Sequence, residues 1–330
     1  MRPLRILTWH VHGNYLYYLT QSAHEFFVPV KPGRPQDYAG RAGSLPWPDN
    51  LHEVPVEQVR GLPLDCILFQ SKKNYREDQY EILSERQRWL PKIYVEHDPP
   101  REHPTDTRHP VDDPDVLLVH VTAFNDLMWD SGRTPTCVIE HGVKVPQFIR
   151  YNGELARGLV VVNNLITRGR RLGADIFQQV RRDIPLDLMG MGSHALGGLG
   201  EFPQQKLLTL ASHYRFFFNP IRYTSLGLAV CEAMMIGMPI IGLATTEMAT
   251  TVENGVSGYV DTRVDKLIAR MQELLAEPVM AQRLGEGARR YAQARFNIER
   301  FTRDWDAAFR LATDDSRPSS MPRVAQGQAS

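Results

Sequence analysis

Cysteine is scarce in this chain: there are three in 330 residues, Cys66, Cys137 and Cys231, far apart and with no C-x-x-C pair. That excludes a disulfide framework and a paired-cysteine metal site, and makes a reducing, cytoplasmic compartment the default. Net charge is also missing. The 38 basic residues balance 38 acidic ones, so bulk electrostatics favours neither nucleic acid nor an anionic membrane. No Walker-type loop and no G-x-S-x-G elbow occurs, which removes the P-loop and α/β-hydrolase readings. The opening MRPLRILTWH has no long apolar region and no small-residue cleavage site, and reads as a first strand rather than a signal peptide. With 42% hydrophobic residues, what remains is an ordinary soluble chain long enough for two domains.

Charge is almost absent from one stretch. Over the eighteen residues from Leu226 to Leu243 every residue but Glu232 is aliphatic, Gly, Pro, Cys or Met. Gly237 and Pro239 split the run into a helix near Leu228–Ile236 and a short strand, so it is no membrane span. The helix is apolar on all faces and must be buried. A carboxylate buried with it is costly unless donors reach it, and the hydroxyls of a polyol such as a ribose are suitable donors. Gly227, just before the helix, lets a ligand approach the backbone. The free N–H groups of Gly227, Leu228 and Ala229, with the helix dipole, make an anion site. A diphosphate there would put its ribose near Glu232. From these residues alone, a Glu–Arg pair tying two helices together stands about level with that reading.

Short apolar segments alternate with helical patterns along the chain. Leu4–Trp9, Asp65–Gln70, Lys92–Glu96, Val116–Val121 and Thr136–Glu140 read as buried strands, with helical spacing in Tyr75–Trp89 and Ala123–Asp130. The scheme restarts near residue 155. Strands at Gly158–Val162, Leu186–Met189, Phe216–Asn219 and Pro239–Leu243 alternate there with helices near Gly173–Arg182, Gln204–Ser212, Leu228–Ile236 and Val264–Leu275. Such alternation implies two doubly wound, Rossmann-like parallel-sheet α/β domains facing across a cleft. The expected division is residues 1–152, residues 153–312 including one or two helices within Leu284–Leu311, and a disordered tail over 313–330. Lys31–Pro63, rich in Pro and Gly, is expected to be a loop or a surface strand.

Other constellations are weaker. Asn163–Asp175 follows a strand and gathers Arg168, Arg170 and Arg171, a phosphate-binding composition at the strand end where parallel sheets bind ligands. A solvated basic loop is the plainer reading. The glycines at 190, 192, 197, 198 and 200 miss the dinucleotide spacing and read as a flexible loop. The His- and Asp-rich stretch from Glu96 to Asp115 matches no metal-ligand spacing, so no metal site and no cofactor is expected. His97 and Asp98 directly follow a strand and should face the cleft, as should His10, His12, Gly13 and Asn14 after the first strand.

Leu226-Gly-Leu-Ala-Val-Cys-Glu232-Ala-Met-Met-Ile-Gly237-Met-Pro239 resembles the nucleotide-sugar motif of GT-B glycosyltransferases of family 4, whose usual form is E-G-F-G-L-x-x-x-E-A-M-A-x-G-x-P-V-I. Glu253-Asn-Gly255-Val-Ser-Gly258-Tyr-Val is similar to that family's E-D-G-x-x-G-x-L-V turn, and Ile139-Glu-His-Gly142-Val to its I-P-N-G-V segment. The resemblance is strong over residues 155–300 and weak before residue 90. It implies a hexosyltransferase that uses a UDP- or GDP-sugar, retains anomeric configuration and needs no essential metal. The acceptor would be a glycan, a lipid-linked or a small molecule, as in polysaccharide biosynthesis. By the same resemblance Glu232 would hold the ribose, and Gly227, Leu228, Ser225, Gly13 and Asn164 would line the donor site. Arg168 and Arg171 would neutralise the leaving diphosphate, and His97 would meet the transferred sugar. One departure stands out: the family's first glutamate, which stands eight residues before Glu232 and normally contacts the donor sugar, is Thr224 here. That departure motivates a second reading, a non-catalytic nucleotide-sugar-binding partner, and a nucleotide-sugar epimerase is a third. The mild basic excess after Val264 leaves a peripheral contact with the inner face of a membrane open.

Overall fold

The computed structural model describes residues 2–314; beyond Asp314 the tail expected to be disordered lies outside the described residues. Seven parallel strands form the first sheet: β1 (Arg5–Thr8), β2 (Glu25–Val30), β3 (Leu51–Pro55), β4 (Cys66–Phe69), β5 (Lys92–Glu96), β6 (Val116–His120) and β7 (Thr136–Val138). Their spatial order is β3-β2-β1-β4-β5-β6-β7. The helices here are short: α1 (Gly13–Leu19), α2 (Val56–Val59), α3 (Gln79–Ile82) and α4 (Ala123–Met128). The second sheet holds β8 (Leu155–Val161), β9 (Leu186–Met189), β10 (Tyr214–Asn219), β11 (Ile240–Leu243) and β12 (Gly258–Asp261), ordered β12-β11-β10-β8-β9 and again parallel. Its helices are α5 (Ala174–Val180), α6 (Gln204–Ala211), α7 (Leu228–Ile236), α8 (Met248–Thr251), α9 (Val264–Ala276), α10 (Pro278–Arg295) and α11 (Ile298–Thr313).

Two doubly wound parallel sheets are thus present, as the alternating pattern implied. The Lys31–Pro63 stretch, expected to be a loop or a surface strand, supplies the edge strand β3. Its β3 pairs along its whole length with β2, from Phe26 opposite Leu51 to Val30 opposite Pro55. The turn expected at Glu253–Val260 ends in a further strand, β12, in register with β11. Tyr75–Trp89 breaks into a wide π-type turn at Asn74–Asp78, the single turn of α3 and a 3₁₀ turn at Gln87–Trp89 rather than one helix.

The last helix does not stay with the second sheet. α11 buries Phe301, Trp305, Ala308 and Phe309, spaced four, three and one apart on one face. This face packs in one continuous core with Ile6, Leu68 and Val119 of β1, β4 and β6. The described residues therefore begin and end on the N-terminal sheet, and the two halves share apolar packing instead of meeting only at a hinge.

Candidate functional site

The carboxyl ends of the strands face a cleft of about 870 Å³. His10 to Tyr15 follow β1, Asn163 follows β8, Gly190 and Met191 follow β9, and Leu228, Ala229 and Glu232 come from α7; all line it. This is where open parallel sheets bind ligands, at the crevice beyond their strand ends.

Glu232 lies on the cleft wall and is only 3% exposed. Its Oε1 accepts a hydrogen bond from the Tyr18 hydroxyl at 2.7 Å and another from the Gln204 amide at 2.9 Å. Gln204 also donates to the Tyr18 oxygen at 2.7 Å. Among the described residues no arginine pairs with Glu232, so the reading of a helix-tying ion pair falls away there. Oε2 takes no hydrogen bond from any described residue and is not sealed off among the buried unpartnered atoms, so it is the oxygen presented to the cleft. Burial raises the Glu232 pKa to about 7, the bonds from Tyr18 and Gln204 opposing the shift.

Gly227 caps α7 with an extended backbone, φ −74° and ψ 138°. A Cβ built there would meet nothing within 4 Å. The fold itself therefore makes no demand for glycine at this position, and the space it leaves opens onto the start of α7. The first N–H groups of that helix have no intrahelical acceptor, and Leu228 and Ala229 are only partly covered. Chemically this is an anion cradle one turn from a carboxylate that is free to take hydroxyls.

The arginines after β8 belong to the same half as α7, and none of them lines this cleft. Arg168 is exposed, Arg171 partly so, and Arg171 donates to the Tyr223 carbonyl at 3.4 Å. Arg170 is turned away, joined with Arg222 to Asp175 at 2.6 Å. Desolvation and then the neighbouring Arg171 charge lower the Arg168 pKa, with Asp98 opposing. Arg171 is likewise lowered by desolvation and by Arg101. Cations crowded together in this way gain from any anion placed among them.

His97 directly follows β5, its ring 4.2 Å from that of His12 and 4.6 Å from that of Tyr15. Its Nε2 is buried and unpartnered. Burial, then repulsion from His12 and His141, holds its pKa well below the usual histidine value, so the ring is neutral at pH 7. His141 is lowered to about 4, chiefly by burial, and its Nε2 donates to the Leu226 carbonyl at 2.8 Å. Among the described residues no group of three or more metal-ligating side chains is placed to hold an ion.

Other expected residues fall at different distances from the cleft. Gly13 lines it, packed so that a Cβ would press on His10 at 2.8 Å. Asn164 does not line it; a left-handed φ of 53° and a backbone bond to Met191 make it a turn residue, and its neighbour Asn163 takes the cleft position. Ser225 and Thr224 are engaged across the cleft. The Ser225 hydroxyl donates to the His97 carbonyl at 2.6 Å and the Thr224 hydroxyl to Asp98 Oδ1 at 3.4 Å. Tyr18, Gln204 and Arg101 were not anticipated from the sequence.

Residues 195–291 match the family described as glycosyl transferases group 1. Among curated protein sequences none matches the chain. Among solved structures it superposes on a sucrose-phosphate synthase from Thermosynechococcus elongatus at TM-score 0.67, with 16% identity, 94% of this chain and 99% of that one covered. HepE of Anabaena, solved with UDP, superposes at 0.66 with 13% identity, 94% and 100% covered. AviGT4, a glycosyltransferase involved in avilamycin A biosynthesis, superposes at 0.62 with 15% identity, 94% and 98% covered. The fold is GT-B. The group 1 match covers the part of the C-terminal half that holds α6, α7 and Glu232.

Proposed function

We propose that the protein moves a sugar from a nucleoside diphosphate sugar to a glycan, lipid-linked or small-molecule acceptor, with retention at the anomeric carbon. The observation that carries this reading is the division of labour at Glu232. One oxygen is fixed by Tyr18 and Gln204 while the other takes no bond from any described residue, on a helix whose first two residues line the cleft with it. A ribose diol fits the free oxygen, and the diphosphate then reaches the α7 N-terminus and Arg168 and Arg171. Charge that builds on the leaving diphosphate is stabilised there, where preorganised donors and cations act most strongly. His97, neutral and with a free buried nitrogen, is suited to a sugar hydroxyl on the other side of the bond.

UDP is the first nucleotide to try, since the HepE structure holds it; GDP is the second. Thermal-shift and calorimetric titration with UDP, GDP, UDP-glucose and GDP-mannose test the reading. At least one nucleotide should bind, and Glu232→Ala should weaken it by about tenfold to a hundredfold, the worth of a hydrogen bond to a charged acceptor. Affinity unchanged by that substitution would sink the ribose assignment. Thr224 in place of the family's glutamate favours one second reading, a nucleotide-sugar-binding partner without turnover. Donor consumption with no acceptor and with a set of acceptors separates the two.

A further inference from the structure

Asp98 stands where the site lacks a carboxylate. It follows β5 at the cleft end, and its Oδ1 accepts the Thr224 hydroxyl at 3.4 Å across the cleft. Its Oδ2 holds Arg101. The backbone on either side is fixed. The Asp98 amide donates to Glu96 Oε1 at 2.9 Å, the Asp98 carbonyl accepts from the Trp129 indole at 2.8 Å, and the His97 carbonyl accepts from Ser225 at 2.6 Å. The side chain keeps 21% of its surface open. Its charge is felt by His12, Arg168 and Arg171, which places it within the same cluster as the expected diphosphate and sugar contacts.

We propose that Asp98 supplies from the N-terminal domain the carboxylate that Thr224 does not supply from the C-terminal one, and that the two together form the donor-sugar contact. The inference rests on the nucleotide-sugar reading above. Thr224 donates its hydrogen to Asp98, which leaves the Thr224 lone pairs and the second lone pair of Oδ1 free to accept from sugar hydroxyls. A carboxylate at this place also puts negative charge beside an anomeric carbon that becomes positive as the bond to the diphosphate breaks. Because Thr224 and Asp98 belong to different domains, the sugar contact is complete only when the domains are closed, whereas the nucleotide contacts of Glu232 and Gly227 lie in the C-terminal domain. Donor recognition divides accordingly: the groups that touch the nucleotide lie on one side, with Tyr18 of the other side orienting Glu232, and the sugar is read by both.

The test compares a nucleoside diphosphate with its glucose conjugate by calorimetry, in wild type, Asp98→Asn, Thr224→Glu and the double variant. UDP and UDP-glucose serve as probes, with GDP and GDP-mannose as the second pair. Asp98→Asn keeps the shape and the bond from Thr224. It should leave UDP affinity within about twofold and lower UDP-glucose affinity, and kcat with any acceptor, by about tenfold to a hundredfold. Thr224→Glu alone places two carboxylates together and should weaken UDP-glucose as well. The double variant returns one carboxylate to the site and should recover most of the loss, which a merely structural role for Asp98 has no means to produce. Equal UDP-glucose affinity in wild type and Asp98→Asn overturns the proposal, as does a double variant no better than either single one. If neither UDP nor GDP binds wild type, the nucleotide-sugar reading itself fails and this proposal with it.

Discussion

The two oxygens of the Glu232 carboxyl have unlike surroundings, and this sets how the residue responds to pH. In the unfolded chain it would titrate at the ordinary value of 4.5; in the fold, burial raises it to about 7. Between those values the folded chain holds a proton that the unfolded chain has released, so this group's contribution to stability falls as pH rises through the window and levels off above it. Thermal melts from pH 5 to 8 should therefore show a declining component in wild type that is absent in Glu232→Gln. Identical slopes in the two proteins would show that the carboxyl is not held as the structure has it. Gly227 offers a cleaner separation of folding from binding. An added Cβ meets no protein atom and φ −74° suits any residue. Gly227→Ala should leave the melting temperature unchanged or slightly raised, while the methyl group occupies diphosphate space and lowers nucleotide affinity about tenfold or more. Glu232 and Gly227 stood out in the sequence because one is the lone charge of an apolar run and the other directly precedes the helix in it. Tyr18 and Gln204 were not. Tyr18 is one of three tyrosines in GNYLYYL, and its partner lies 214 residues away. No local periodicity reports a bond of that span.

At the scale of elements, α7 is aimed at the cleft by the way its far end is packed. It finishes at Gly237, left-handed at φ 103°, and α10 crosses there with Gly285 against the Gly237 carbonyl. A Cβ on Gly285 would lie 2.0 Å from that oxygen. Two effects compete in Gly285→Ala. Helix propensity favours alanine by about 1 kcal/mol, but the clash is with backbone, which cannot swing aside, and overpacking of this kind costs about 1–3 kcal/mol. The clash wins, so the variant should melt several degrees lower, and α7 displaced by the strain should bind UDP less tightly. A higher melting temperature would show that α10 slides freely over α7. Four of the five strands of the second sheet were legible as brief apolar runs, and α7 almost to the residue. The elements missed or left open share a cause. β2 carries Pro29, and β3 is five residues of mixed polarity, Leu51–Pro55, with only Leu51 fully buried. Both take their place from pairing with strands distant in sequence, and alternation is too short in them to register. β12 hides behind a glycine turn at Gly255 and Gly258 for the same reason.

The whole molecule is tied across its cleft from several directions, and α11 is the longest of the ties. Arg295, at the end of α10, bonds to Glu140 and, at 2.7 Å, to Glu247; His141 reaches the Leu226 carbonyl; the chain then passes into α11 and returns to the N-terminal sheet. Trp305 anchors that return, with no exposed surface and its indole donating to the Tyr15 hydroxyl at 3.1 Å. Tyr15 in turn sets its ring edge-on against His97 at 4.6 Å. Removing the indole should cost about 3–5 kcal/mol as a cavity in the N-terminal core, a large part of the roughly 5–15 kcal/mol that holds a domain together. The groups expected to hold nucleotide, Glu232, Gly227, Arg168 and Arg171, belong to the C-terminal domain, away from this cavity. Trp305→Ala should therefore lower the melting temperature strongly and lower turnover through the loosened Tyr15 and His97, yet leave UDP affinity within about threefold at a temperature where the protein is folded. Trp305→Phe, which keeps an aromatic ring but drops the bond to Tyr15, should recover most of the stability and less of the turnover. If UDP binding instead falls in step with turnover in both variants, the two halves of the cleft act as one unit, and α11 is transmitting the state of the N-terminal domain to the nucleotide rather than only closing the sugar side over it.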